Sequence, residues 1–127
     1  MRRSRRKSDE FLYWCLDAIA DTVDLFVQKY DSVYDEYSTE LMARTPGFKA
    51  WYLSGILADT AGAAGTEGIR RIDGMANVKD ITSISDESKR ARAERIVVTF
   101  AKDCIMNRES FICGADYVAA IQRAVEK

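Results

Sequence analysis

The sequence predicts an all-α domain of four to five amphipathic helices, and three observations predict it. Apolar residues recur at steps of three and four along most of the 127 residues, while no stretch alternates with period two for long enough to make a strand. One Pro and 7 Gly are too few for the many turns of a sandwich or barrel. A hydrophobic content of 47% beside 31% charged residues is that of a globular chain, at a length that suits one domain.

The first helix is expected over residues 8–30. Leu12, Leu16, Ile19, Val23, Phe26 and Tyr30 form its apolar stripe, Asp17, Asp21, Asp24 and Gln28 its polar face, and Ser8 or Asp9 its N-cap. A shorter, more polar helix is expected over 31–44, ended by Thr45-Pro46-Gly47 because the residue before Pro resists the helical region. Residues 48–72 make a third helix that opens with bulky side chains and turns small at Gly62-Ala63-Ala64-Gly65-Thr66-Glu67-Gly68, with Gly74 as its C-terminal stop. Residues 75–84 read as a loop containing a short extended piece. Ser85-Asp86-Glu87 starts a fourth helix that runs to about residue 108, with acids in its first turn as the helix dipole favours. After a break near Gly114, Val118, Ile121 and Val125 carry a last short helix.

Composition excludes several kinds of chemistry. Histidine is absent, so no Ser-His-Asp or Cys-His system, His-bearing metal site or histidine proton shuttle can be built from these residues. Cys15, Cys104 and Cys113 form no C-x-x-C pair; they read as packing residues in a reducing, cytoplasmic setting, and neither a metal site nor a cofactor-binding motif is expected. The formal net charge of -1 is uneven. Arg2, Arg3, Arg5, Arg6 and Lys7 hold five of the 19 basic side chains, leaving 14 basic against 20 acidic residues, a net of -6. A domain at that charge does not bind nucleic acid by its own field. Residues 1–7 are expected to be a disordered, solvated tail ahead of a single helical domain at 8–127. The apolar run after the tail is too short for a membrane span.

The glycine cluster is not a phosphate-cradling loop, because helix-forming residues precede it and Glu67 lies close by, not the Lys of a Walker loop. Close helix–helix packing explains it better, since each Gly within a helix costs about 1 kcal/mol relative to Ala. Arg70 and Arg71 have two readings. As cations in a last helical turn they complement the dipole and reach solvent; as paired guanidiniums they form an anion clamp, since Arg forks match phosphate oxygens bidentately. Trp14 and Trp51 read as core anchors or as the apolar edge of an interface.

Residues 59–72, from Asp59-Thr60-Ala61-Gly62-Ala63-Ala64-Gly65 through Arg70-Arg71-Ile72, continuing over Gly74-Met75-Ala76-Asn77-Val78, resemble the C-terminal region of S-methyl-5-thioribose kinase. Those enzymes carry a small-residue helix of the type D-x-x-G-x-A-G, a twin arginine and a Gly-Leu-Ala-His-Val-like turn. Tyr13-Trp14-Cys15-Leu16-Asp17-Ala18-Ile19 is similar to the family's Trp-Leu-Leu-Asp-Thr-Ile helix, and Ile105-Met106-Asn107-Arg108 to its Leu-Asn-Arg-like stretch. The resemblance covers most of residues 11–112 in collinear order. Where the family commonly has His, this chain has Asn77.

The resemblance implies the helical part of the C-lobe of an aminoglycoside-phosphotransferase-like kinase. It further implies transfer of the ATP γ-phosphoryl group to the 1-hydroxyl of S-methyl-5-thioribose in methionine salvage, with Mg²⁺, by a cytoplasmic homodimer. It assigns Arg70 and Arg71 to the sugar site, facing the transferring phosphoryl group. The Gly-rich loop, phosphate-pairing Lys and catalytic Asp of such a kinase are not found in this sequence. The expectation is therefore a C-terminal piece, inactive alone and completed by a missing N-terminal kinase portion. The alternative is a stand-alone helical interaction or oligomerisation module. Neither nucleic acid nor membrane is an expected partner.

Overall fold

The computed structural model describes residues 2–73 and 77–127, with side chains from Lys7 onward. The described residues are helical and include no strand. Helix α1 spans Arg2–Tyr37 and α2 spans Phe48–Ile72, joined by a 3₁₀ turn at Leu41–Arg44. A single turn, α3 (Lys79–Thr82), leads into α4 (Glu87–Met106); a second 3₁₀ turn, Arg108–Ser110, precedes α5 (Gly114–Glu126). The expected C-terminal stop at Gly74 lies outside the described residues.

Three boundaries differ from the sequence reading. α1 is one continuous helix of 36 residues, so the backbone of the basic stretch 2–7 is helical where a disordered tail is expected. The same helix runs seven residues past Tyr30 and absorbs much of the second helix expected over 31–44, which survives only as the 3₁₀ turn. No Pro or Gly interrupts positions 2–45, so helix propagation, which adds one hydrogen bond per residue fixed, has nothing to stop it there. The extended piece expected before α4 is the turn α3, closed by Thr82 N–H donating to Val78 O at 3.0 Å.

Packing is set by small residues. α2 lies along α4, and α5 packs against both α4 and α1. At Gly65 a Cβ would stand 2.6 Å from Ala101 O and 2.8 Å from Ile105 Cγ1, so this residue alone of the three spaced glycines lets two backbones meet. Gly62 and Gly68 have ordinary room for a methyl group. At Gly114 a Cβ would overlap the Ala20 backbone, and the glycine that looks like a chain break is the contact between α5 and α1. Ala61, Cys104, Phe111, Tyr117 and Ala120 form the core, with Val23 and Phe100 packed on it. The Phe111 and Tyr117 rings meet tilted at 4.8 Å, a favourable aromatic geometry.

The N-terminus of α5 is capped twice. Asp116 Oδ2 accepts from Ile112 N at 2.9 Å and Cys113 N at 3.0 Å. Gly114 N donates to Asp24 Oδ1 of α1 at 2.7 Å, so Asp24, exposed as its place on the polar face leads one to expect, also reaches the start of α5. An acid here answers both an unpaired N–H and the positive helix end. Asp24→Ala is expected to lower unfolding free energy by about 1–2 kcal/mol, the usual cost of a lost N-terminal acceptor. Asp24→Asn should cost less. Urea unfolding at neutral pH measures both; equal stability of all three chains would contradict this linkage of α1 to α5.

Trp14 and Trp51 are not core anchors. Their side chains are 64% and 68% exposed. Of the cysteines, Cys104 is buried and the other two half-buried. Burial pushes the Cys104 thiol up to about 11, which suits packing and not nucleophilic attack.

Candidate functional site

The last turns of α2 carry Glu67, Arg70 and Arg71 on one side of the helix, because positions three and four apart share a face. Arg70 grips the Glu67 carboxylate with two donors, Nε to Oε2 at 2.8 Å and Nη2 to Oε1. Arg71 adds Nε to Oε1 at 3.1 Å. The hydrogen bond from Arg70 above all, with that from Arg71, holds the Glu67 carboxyl down from the ordinary 4.5 to about 2. All three side chains are about half exposed.

The structure separates the two arginines by surroundings. Arg71 lines a small cavity of about 150 Å³ between the end of α2, α3 and α4, together with Ile81, Thr82, Arg90 and Glu94. Arg70 stands outside it, forked onto Glu67. Arg90 is braced by Nη1 donating to Ile84 O at 3.3 Å and sits 4.0 Å from Glu94. Three guanidiniums, of Arg70, Arg71 and Arg90, and two carboxylates, of Glu67 and Glu94, thus surround the C-terminal end of α2. The set can bind and orient an oxyanion electrostatically.

Glu67 is the member that the sequence reading passes over as a replaced Walker lysine. Its spacing of three and four from Arg70 and Arg71 is the signal that could find it. Among the described residues no group of three or more His, Cys, Asp or Glu side chains could hold a metal ion. Among the described residues, too, no helix is long and apolar enough to cross a membrane.

The pairing makes a pH prediction. A carboxyl whose pKa is depressed on folding contributes stability that is present above its unfolded value and is lost as pH falls through the folded one. The Glu67 contribution should therefore fade between about pH 4.5 and pH 2. Titration of the Glu67 side-chain carbon by NMR should show a midpoint near 2 that climbs towards 4.5 in Arg70→Ala. An unchanged midpoint in that variant would contradict the pairing.

Known proteins resemble this chain over most of its length. Methylthioribose kinase 1 of Oryza sativa subsp. japonica is 30% identical over 123 aligned positions, covering 86% of this chain and 28% of the relative. The chain resembles the C-terminal region of methylthioribose kinases. Methylthioribose kinase of Erwinia tasmaniensis is 31% identical over 102 positions, covering 80% of this chain and 24% of that kinase. Methylthioribose kinase of Geobacillus kaustophilus is 32% identical over 101, covering 80% and 26%. The chain spans about a quarter of the length of these kinases. No family model matches it, and no solved structure does.

Proposed function

We propose that this chain forms the substrate-side helical part of a cytoplasmic S-methyl-5-thioribose kinase acting in methionine salvage. In that reaction the bond between the γ-phosphorus of ATP and the β–γ bridging oxygen breaks. A new bond joins the phosphorus to the 1-hydroxyl oxygen of the sugar, whose proton departs. The observation that carries this reading is the similarity to methylthioribose kinases over 72–86% of the chain. The geometry supports a role within it for Arg70 and Arg71, as donors towards charge that grows on the phosphoryl oxygens. On this reading Glu67 is a positioning residue that holds the forks before substrate arrives. ATP and Mg²⁺ are held by other parts of the kinase, because the phosphate-covering loop, the phosphate-pairing Lys and the metal-binding Asp of such enzymes are not among these residues.

The test is a hybrid in which this chain replaces the corresponding region of a methylthioribose kinase. Formation of S-methyl-5-thioribose 1-phosphate from ATP, followed by ³¹P NMR, should be restored relative to the kinase lacking that region. A hybrid that folds yet transfers nothing contradicts the proposal. The isolated chain should bind no ATP–Mg²⁺ in calorimetric titration; a micromolar dissociation constant would contradict this division of labour. The exposed rings of Phe11, Trp14 and Trp51 also favour a second reading, a helical interaction module without catalysis. That module would fold and associate normally but leave the hybrid inactive.

A further inference from the structure

Between the end of α1, the first 3₁₀ turn and the start of α2 lies an open cavity of about 600 Å³ that the kinase reading does not use. Five rings line it: Tyr30, Tyr34 and Tyr37 of α1, and Phe48 and Tyr52 of α2. Helical spacing gathers them, because positions three and four apart share a face. Contacts among the rings hold them in place. Tyr30 and Tyr34 meet tilted at 5.4 Å, Phe48 and Tyr52 lie stacked at 5.8 Å, and the Tyr34 hydroxyl donates to Ala43 O at 3.0 Å. A cavity of this size and lining suits a small ligand with an apolar body.

The charge around the rings selects that ligand. Glu40 is the one charged side chain in the lining, and no ion pair among the described residues engages it. Residues 31–49 carry Asp31, Asp35, Glu36 and Glu40 against Arg44 and Lys49. Lys49 is already committed to Asp31 at 2.6 Å and Asp35 at 2.9 Å. Its ammonium also stands 5.7 Å from the centre of the Tyr34 ring, within reach of a cation–π attraction, so one positive charge already rests on this aromatic cluster. The Tyr30 hydroxyl is closed off and has no hydrogen-bond partner, which leaves its dipole free to turn the oxygen towards a further positive charge. An anion would meet no cation in the lining. We propose that this cavity binds an organic ammonium ion with an apolar body, its charge over the tyrosine faces and Glu40 as its counter-ion.

The experiment titrates the full chain at neutral pH with benzyltrimethylammonium, beside benzyl alcohol and phenylacetate as neutral and anionic probes of the same ring. The cation should bind with a dissociation constant of about 1 mM or tighter, at least about 10-fold ahead of either control. Its N-methyl proton signal should move upfield, since ring currents shield protons held over aromatic faces, and the methyl signal of Met42 in the cavity wall should shift with it. Tyr37→Leu should weaken binding by about 3- to 10-fold and Glu40→Gln by about 3-fold. Both side chains are exposed, so the helical circular dichroism should stay that of the wild type. Glu36→Gln, at a carboxylate outside the lining, should weaken binding less than Glu40→Gln. Equal binding of the three probes would make the cavity a merely apolar cleft and overturn the proposal. So would no binding at about 10 mM cation, or Tyr37→Leu and Glu40→Gln chains that bind as the wild type does. The readout is binding alone, so its failure would leave the kinase reading untouched.

Discussion

Gly114→Ala is expected to destabilise the chain by about 3 kcal/mol or more, a large share of the 5–15 kcal/mol that holds a domain folded. The added methyl would occupy the space of the Ala20 carbonyl and Cα, and backbone cannot rotate aside as a side chain can. α5 must then back away from α1. That movement stretches the Gly114–Asp24 bond and opens the core at Val23, Phe111 and Tyr117. Gly65→Ala should cost less, about 1–3 kcal/mol. Its methyl meets Ala101 O and the more yielding Ile105, and the gain in helix propensity offsets about 1 kcal/mol. Gly68→Ala is the control: ordinary contacts of 3.5 and 3.7 Å leave only the propensity gain, so stability should rise by about 0.5–1 kcal/mol. Urea unfolding of the three variants checks the order. A Gly114→Ala chain within 0.5 kcal/mol of wild type would mean that α1 and α5 are not packed as described.

The pattern of these costs shows what the sequence can reveal. Three glycines at spacing three announce that some close approach exists, but only the facing helix decides that Gly65 is the one that needs it. Helix periods are equally informative about class and blunt about partners. The steps of three and four in α1 mark an apolar stripe without telling which half meets α5 and which half, at Leu12, Ile19, Phe26 and Val33, is left uncovered. The core-anchor reading of Trp14 and Trp51 fails for the same reason, while their reading as an interface edge is untouched, since hydrophobicity predicts a wish for burial and not the availability of a cover. Asp24 is invisible as a cap because its helix end lies 90 residues away in sequence. Glu67 was legible, since local ion pairs need only helical spacing. The end of α1 was not, because tyrosines and acids at 31–37 weaken the apolar pattern without supplying a stop.

The twin arginine carries the largest expected effect on turnover. In the hybrid kinase, Arg70→Ala and Arg71→Ala should each lower kcat by about 10²–10³-fold, the usual loss when a preorganised donor to a transition-state oxyanion is removed. KM should move far less, because on the proposed role the interaction strengthens only as charge spreads over the transferring phosphoryl group. Lys at either position should rescue in part, since an ammonium lacks the planar two-point fork. Glu67→Gln should leave both arginines in place but weaken the grip that orients them, giving a smaller loss that again falls on kcat. The measurement that bears most directly on the proposed function is the kcat of the Arg70→Ala, Arg71→Ala double variant of that hybrid beside its melting temperature. The phosphoryl-clamp reading predicts a loss of at least about 10²-fold in kcat with a melting temperature within a few degrees of the parent. Near-normal kcat with a slightly lowered melting temperature would make the pair solvent-facing cations at a helix end, and would contradict it.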